Sequence, residues 1–333
     1  MAITLDTENP FAQHFANLAD PRLGAEAIEA SDEFFATKDR MLNPNPPVFF
    51  ADKFDDHGKW MDGWETRRKR EAGYDWCVVR LGLPGTITGV EIDTRHFTGN
   101  FPPAASLEAC RAHGKLTART KWTLLLSSVE LEGDKRHFFE VNDGNSYSHV
   151  RMNIYPDGGI ARLRVYGLVE RNWTAKDKKT QFDLASVING ARTIGCSNQH
   201  YGTPLNMLMP DEAKNMGDGW ETGRRRIPGN EWAIIALGAP GRLRKVVVDT
   251  AFFKGNFPDR CSILAAHVKD GTESSLTTQS MFWPTLLPEQ SLSANSEHTF
   301  QQELVDLGPV THVRFNIIPD GGVSRLHLFG TIA

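Results

Sequence analysis

The densest group of reactive side chains in the sequence lies at residues 62–70, where two carboxylates, one tryptophan and four cations occupy nine positions. A helix would distribute these groups around its axis, so we place them on a loop that leads into a strand at Trp76. Several guanidinium and ammonium donors on one loop can hold a small anion. The same charges could instead form a solvated ion-pair network between two parts of the chain.

Two other polar groups of residues have the composition of a ligand site. In residues 96–102, Gly99 permits an unusual backbone turn, and Asn100 offers a donor and an acceptor to a ligand or to that turn. His149, Arg151 and Asn153 alternate with apolar residues, so they point to one side of one strand. The first group could be only a structural turn, and the second could be only a solvated face.

Several familiar catalytic motifs are absent from the sequence. It contains no Gly-x-Ser-x-Gly, no P-loop, no dinucleotide-binding fingerprint and no His-Glu-x-x-His. The 11 histidines are dispersed without the spacing of a metal site. The residues by themselves therefore indicate a polar site for an anion and do not specify its ligand.

The elements that must position these residues occur twice. Residues 62–66 recur as 218–222, and residues 149–159 recur as 312–322 with a shifted offset. A period this long indicates two copies of one whole domain, not a solenoid. We assign residues 1–24 to an N-terminal extension, 25–172 to the first repeat and 184–333 to the second.

Composition places the chain among ordinary globular proteins. Of 333 residues, 40% are hydrophobic and 23% charged, and the net charge of −4 argues against binding to nucleic acid or to a membrane surface. There is no apolar run of the roughly 18 residues needed to cross a bilayer, and the N-terminus lacks the features of a secretory signal. We therefore expect a soluble, cytoplasmic protein.

The four cysteines show no Cys-x-x-Cys spacing, and each aligns with an alanine of the other copy. We interpret all four as small, buried and reduced residues, and not as nucleophiles or metal ligands. The aligned pairs are Cys77 with Ala233, Cys110 with Ala266, Cys196 with Ala30, and Cys261 with Ala105.

Most of the apolar periodicity is that of strands. The sequence predicts a type II turn at Pro84 and Gly85, a hairpin connection at residues 155–159, and helices only at residues 22–30 and 211–216. Many short strands with little helix predict an all-β fold, with two tandem jelly-roll or β-sandwich domains of the galactose-binding-like type that arose by internal duplication.

Four motifs together resemble the allantoicase family: residues 30–35, 61–68, 93–102 and 153–159. This resemblance covers roughly residues 25–331 and includes the duplication. It implies a homo-oligomeric hydrolase of purine degradation that acts on C–N bonds of linear amidines. Such an enzyme converts allantoate and water into ureidoglycolate and urea.

Allantoate carries one carboxylate and two flat ureido groups, which suit arginine and amide or carboxylate side chains respectively. We assign Glu65 as general base and His96 as general acid. The reaction needs no redox cofactor, and the sequence leaves a divalent metal open because it shows no ligand set. The residues that we expect to contact substrate are Asp62, Trp64, Arg67, Arg68, Arg95, Asn100, Arg151 and Asn153.

The two copies differ at positions that could bind an anion or transfer a proton, so we expect the chemistry to centre on the first repeat. The second repeat keeps Glu221, Arg224, Arg226 and Asn256, so it could still bind ligand weakly or complete the site across an interface. The first copy has Arg67, Arg80, Arg95 and His96 where the second has Gly223, Ala236, Ala251 and Phe252. The alternative function is a tandem carbohydrate-binding module, which would present exposed aromatic platforms and usually carry a secretory signal.

Overall fold

The computed structural model describes residues 8–112 and 114–333, and the chain divides into two compact units. The first unit is Asn17–Glu170. The second is Arg171–Ala333 together with the N-terminal segment that ends at Ala16. Residues 17–24, which the sequence analysis assigned to an extension, thus lie in the first unit.

Each unit consists mainly of antiparallel strands. Those of the first part of the chain are β1 (Ala16–Asn17), β2 (Glu26–Ala30), β3 (Phe54–Asp55), β4 (Gly58–Lys59), β5 (Trp64–Glu65), β6 (Asp75–Asp93), β7 (Ala104–Cys110), β8 (Thr123–Glu130), β9 (Arg136–Glu140), β10 (Ser146–Tyr155), β11 (Gly159–Ile160) and β12 (Arg162–Val169).

The second unit repeats the long strands in the same order. Its strands are β13 (Gln181–Asp183), β14 (Arg192–Cys196), β15 (Trp220–Glu221), β16 (Glu231–Asp249), β17 (Arg260–Ala266), β18 (Thr285–Ser291), β19 (Glu297–Phe300), β20 (Val310–Ile318), β21 (Gly322–Val323) and β22 (Arg325–Ile332).

Helix is sparse in the described part of the chain, as the sequence predicts. It contains one α-helix, α1 (Glu273–Gln279), which is too short to cross a membrane, as are all the other helices described. The remaining helices are short 3₁₀ segments at Pro21–Leu23, Lys38–Leu42, Asp177–Lys179, Val187–Asn189, Pro204–Leu208, Met216–Asp218 and Ser280–Phe282.

The strand β6 belongs to both layers of the first unit. Its first part, up to Arg80, pairs with β2 and β10, and β10 continues through β7 to β8. Its second part, from Gly85, pairs with β12 and β9. Because one long strand bends from one sheet into the other, the two sheets face each other as a sandwich. The strand β16 does the same in the second unit.

The predicted turn at Pro84 and Gly85 is wrong, because both residues lie inside β6 where it changes sheet. Pairing of β6 with β10 is interrupted between Arg80 and Gly85, so the missing N–H of proline is tolerated there. A Cβ on Gly85 would lie 2.4 Å from the carbonyl oxygen of Leu168, and glycine therefore lets β12 approach at this point.

The space between the two sheets is filled by apolar side chains from both. Strand β6 contributes Val79 and Ile92, β10 contributes Val150, and β12 contributes Leu163, all fully buried. Alternation of inward and outward residues along each strand places these side chains in one continuous core. The all-β organisation in two sandwich repeats is thus confirmed.

Three other local predictions were wrong. Residues 22–30 form a 3₁₀ turn followed by β2, residues 211–216 contain no α-helix, and β10 and β12 both pair with β6 instead of forming a hairpin with each other. For β2, β10 and β12 the hydrogen-bond partner is β6, and local propensity does not report a partner distant in the sequence.

The guanidinium of Arg162 is fully buried beside β5 and has its own set of partners. It forms an ion pair of 2.7 Å with Asp62 and donates to the carbonyl oxygens of Asp62, at 2.9 Å, and of Asn45, at 2.9 Å. In the second unit Arg325 is buried in the same manner and pairs with Asp211 at 3.1 Å. Each arginine fixes to the sandwich the loop that precedes a short strand. Arg162 does this for the loop before β5, and Arg325 for the loop before β15.

We predict that Arg162→Leu lowers the free energy of unfolding by about 3–5 kcal/mol, because it leaves the Asp62 carboxylate buried without its counter-charge. Chemical denaturation of the whole chain measures this change. The control is Arg80→Ala, which removes a surface pair with Glu26 whose side chains are 45% and 60% exposed. That variant should change stability by less than about 1 kcal/mol. Equal effects of the two substitutions would contradict the assignment.

Candidate active site

A pocket of about 430 Å³ opens at the end of the first sandwich, beside β5. It brings together three residues that the sequence analysis selected: Glu65, Arg68 and Asn100. Its volume is that of a small-molecule site. The full lining is Phe35, Glu65, Thr66, Arg68, Lys69, Gly99, Asn100, Phe101, Pro103, Pro156, Asp157 and Gly158.

Glu65 is fixed in the pocket by the residue before it and by strand pairing. The indole of Trp64 is completely buried and donates from Nε1 to the carbonyl oxygen of Asp32 at 2.8 Å. Glu65 lies opposite Gly159 in the β5–β11 pair, and its N–H donates to the carbonyl oxygen of Ala36 at 3.1 Å. Its backbone is therefore held from both sides, and the residue lines the cavity.

Asn100 is positioned by the loop that precedes β11. The N–H of Gly159 donates to the carbonyl oxygen of Asn100 at 2.7 Å. A Cβ on Gly159 would lie 2.0 Å from the ring of Phe97, so only glycine lets the two segments approach this closely. The side-chain amide of Asn100 then donates from Nδ2 to Oε1 of Glu65 at 2.7 Å.

The electrostatics of the pocket suit proton transfer beside an anion site. Burial raises the pKa of Glu65, the nearby charge of Asp55 raises this pKa further, and the hydrogen bond from Asn100 opposes both effects. The guanidinium of Arg68 is exposed at the pocket and forms no ion pair within the described residues. A carboxyl group with a raised pKa therefore lies close to a cation that is free to bind an anion.

The second unit contains the same arrangement in a cavity of about 560 Å³. The amide of Asn256 donates to the carboxylate of Glu221, and Arg224 is exposed at the pocket. Burial raises the pKa of Glu221 as well, whereas the hydrogen bond from Asn256 and the charge of His200 lower it. The lining is Tyr201, Glu221, Thr222, Arg224, Arg225, Gly255, Asn256, Phe257, Asp259, Pro319, Asp320 and Gly321.

Several residues predicted to contact substrate lie outside the first pocket, because the fold uses their polar groups. Asp62 pairs with the buried Arg162, and Trp64 is packed in the core. Arg67 forms an ion pair of 2.6 Å with Asp32, and Arg95 forms one of 2.7 Å with Asp93.

His96, predicted as the general acid, is also absent from this pocket lining. Its Nε2 lies 3.2 Å from the carbonyl oxygen of Pro47, and its ring stacks on Phe49. The residue has a positive φ of 71°, and its counterpart Phe252 has a φ of 69°. This position is therefore a backbone turn shared by both copies, and the differences between the copies at Arg67, Arg80, Arg95 and His96 do not distinguish their pockets.

Arg151 and Asn153 lie on β10 in a separate polar cluster. Both donate to the same Oε2 of Glu108, Arg151 from Nε at 2.8 Å and Asn153 from Nδ2 at 3.0 Å. Asn153 is buried, and among the described atoms its Oδ1 has no hydrogen-bond partner. The strand and its polar side were predicted correctly, but the cluster is closed by Glu108 and does not line the pocket.

Sequence reasoning missed Thr66 and the loop at residues 156–158 as parts of the site. The hydroxyl of Thr66 accepts from the N–H of Gly158 at 3.1 Å, and the carboxylate of Asp157 accepts from the N–H of Lys69 at 2.8 Å. These bonds close the pocket floor. The signal was present, because residues 156–159 recur unchanged as 319–322.

Apart from the two pockets, the candidate reactive groups of the described residues are metal-ligating side chains and cysteines. No cluster of three or more His, Cys, Asp or Glu side chains arranged to hold a metal occurs in residues 8–112 or 114–333. All four cysteines are free, and burial raises the pKa of each thiol, to about 11 for Cys196 and about 12 for Cys261. Three are buried as predicted, and Cys196 is only partly buried.

Fold and pockets together define a duplicated β-sandwich protein with a carboxylate–amide–guanidinium pocket in each repeat. The family model described as the allantoicase repeat matches residues 16–170 and again residues 182–333. The chain belongs to the allantoicase family.

Individual relatives agree with this assignment. A probable allantoicase 1 of Burkholderia mallei is 59% identical over 100% of this chain and 99% of the relative. A probable allantoicase of Ralstonia nicotianae is 59% identical over 99% of this chain and 98% of its own length. The crystal structure of allantoicase from Saccharomyces cerevisiae matches with a TM-score of 0.76 at 34% identity, covering 95% of this chain and 92% of that one.

We predict that Asn100→Ala raises the pKa of Glu65, because the lost hydrogen bond favours the ionised carboxylate. A carboxyl ¹³C titration of the labelled protein measures it. Asn256→Ala is the matched variant, and it should raise the pKa of Glu221 and leave that of Glu65 unchanged. An unchanged or lowered pKa of Glu65 in Asn100→Ala would show that the two side chains do not interact in solution.

We also predict the order in which the thiols react. Without reductant, four thiols should titrate with a chromogenic disulfide in denaturant, whereas in the native protein Cys196 should react first because it is the most accessible. Mass spectrometry of labelled peptides identifies the site. Fewer than four thiols in denaturant, or fast native labelling of Cys77, would refute this interpretation.

Proposed function

We propose that the protein is an allantoicase that hydrolyses allantoate to ureidoglycolate and urea at the pocket containing Glu65, Arg68 and Asn100. Membership of the allantoicase family supports a hydrolase that acts on C–N bonds of linear amidines. The observation on which the placement of the reaction rests is the 2.7 Å hydrogen bond between Asn100 and a Glu65 of raised pKa, beside an unpaired Arg68.

The chemical groups of allantoate match those of the pocket one by one. The guanidinium of Arg68 can bind the carboxylate through two parallel N–H donors. Nδ2 of Asn100 donates to Glu65, whereas Oδ1 of Asn100 can accept a hydrogen bond from an N–H of a ureido group. Both contacts orient the central carbon of the substrate toward the Glu65 carboxyl group.

In the proposed reaction, the bond between the central carbon and one ureido nitrogen breaks. Protonated Glu65 donates its proton to that departing nitrogen, while the lone pair of the other ureido nitrogen forms a C=N double bond. Urea leaves, and water adds to the carbon. The Glu65 carboxylate takes the proton of this water, and the other ureido nitrogen recovers its single bond and charge balance. The net change is addition of one water and release of one urea.

A single carboxyl group can serve both steps because it returns to its starting protonation state after each turnover. The raised pKa of Glu65 increases its protonated fraction near neutral pH, which the first step requires. Proton transfer of this kind is worth roughly 10²–10⁴-fold in rate. In this proposal Glu65 takes both the base role predicted for it and the acid role predicted for His96.

No atom changes its oxidation state in this reaction, so the proposal includes no redox cofactor. It also assigns no step to a metal, because Glu65 carries both proton transfers. Unchanged turnover after dialysis against EDTA is therefore expected. We further propose that the enzyme acts in the cytoplasm and that it is a homo-oligomer. Light scattering of the purified protein tests its oligomeric state.

We predict that the purified protein releases urea and ureidoglycolate from allantoate in equal amounts. Glu65→Gln combined with Glu221→Gln should lower kcat at least about 100-fold, since the amide cannot transfer the proton. Urea is measured by a coupled assay, and circular dichroism checks that the variant stays folded. Binding of sugars without urea release would instead support a carbohydrate-binding module.

A further inference from the structure

We propose that the pocket around Glu221, Arg224 and Asn256 in the second unit is a second, complete site for the same substrate. Each chain then binds two allantoate molecules and hydrolyses both. This inference rests on the proposed function for its chemistry, and it replaces the expectation that the chemistry centres on the first repeat.

The twelve residues of one lining correspond position by position to the twelve of the other, and nine are identical. Some charged positions outside the pockets are not shared by the two copies. Arg80 and Arg95, both ion-paired in the first unit, are alanines in the second. The identical pairs are Glu65 and Glu221, Thr66 and Thr222, Arg68 and Arg224, Gly99 and Gly255, Asn100 and Asn256, Phe101 and Phe257, Pro156 and Pro319, Asp157 and Asp320, and Gly158 and Gly321.

The second pocket is also built by the same contacts. Trp220 is completely buried, and its Nε1 donates to the carbonyl oxygen of Asn198 at 2.8 Å, which fixes β15 and thereby Glu221. The N–H of Gly322 donates to the carbonyl oxygen of Asn256 at 2.8 Å. The reacting groups of both units therefore have equivalent supports.

Folding alone does not account for these groups. Glu221 is a buried carboxylate whose pKa is raised by burial, so its negative charge is held in an unfavourable environment with an amide as its hydrogen-bond donor. Arg224 is exposed and makes no ion pair within the described chain. Burial of the acid is unfavourable for folding, and the acid together with the unpaired cation provides the groups needed to transfer a proton and to bind a carboxylate.

The three differing positions keep the site polar and open. Lys69 and Arg225 have the same role, since they pair with Asp75 at 2.6 Å and with Glu231 at 2.8 Å respectively. Tyr201 and Asp259 replace Phe35 and Pro103, so the second pocket has two more polar groups on its wall.

The binding test uses the catalytically blocked variant Glu65→Gln with Glu221→Gln, titrated with allantoate by calorimetry. Two molecules should bind per chain. Adding Arg68→Ala or Arg224→Ala should each reduce the number to one, and the surface control Arg244→Ala, whose partner is the exposed Asp306, should leave it at two. One bound molecule that is insensitive to Arg224→Ala would overturn the second site.

The kinetic test compares single variants. Glu65→Gln and Glu221→Gln should each retain roughly half of the wild-type kcat, because two independent sites each contribute to turnover, and only the double variant should lose turnover. Full activity of Glu221→Gln, or complete loss in either single variant, would overturn two independent sites.

The two proposals fail in distinguishable ways. Urea release with one bound allantoate contradicts only the second site. Two bound allantoates without urea release contradict only the reaction. Absence of allantoate binding contradicts both.

Discussion

The close approach between the loop at residues 156–159 and the segment at residues 97–102 determines the geometry of the first pocket. The ring of Phe97 occupies the space in which a side chain at Gly159 would lie, and the N–H of Gly159 holds the backbone of Asn100. Because Gly159 also pairs with Glu65 across β5 and β11, one glycine positions both halves of the carboxyl–amide pair. The core needs only buried apolar area, but the site needs this particular backbone contact.

Duplication made much of the fold and part of the site predictable from the sequence. Motifs that recur at a long interval identify two domains, and alternation identifies the strand of Arg151 and Asn153. Glu65, Arg68 and Asn100, which the sequence proposes as site residues, line one pocket in the structure, and they lie in the two runs that both copies preserve. The ion pairs of Arg67 and Asp62 could not be predicted, because their partners, Asp32 and Arg162, are distant in the sequence and are brought close only by tertiary structure.

The charges of the first unit illustrate how folding selects among candidate ligands. An arginine next to a carboxylate in the fold is satisfied by it, as Arg95 is by Asp93, and it has little free energy to gain from a substrate. An arginine without such a partner, such as Arg68, retains its full capacity to bind an anion. Paired and unpaired arginines look alike in the sequence. Only the distances between guanidinium and carboxylate groups in the structure distinguish them.

The strand β6 has a consequence for how the first unit folds. Its first half pairs with β2, which precedes it by many residues, and its second half pairs with β12, which follows it by many residues. Neither layer can be completed until chain segments distant in sequence have met on this one strand, which gives the unit a high contact order and favours slow, all-or-none assembly. Amide protons in the two paired parts of β6 should for the same reason exchange only through global opening, so this strand reports the stability of the whole sandwich.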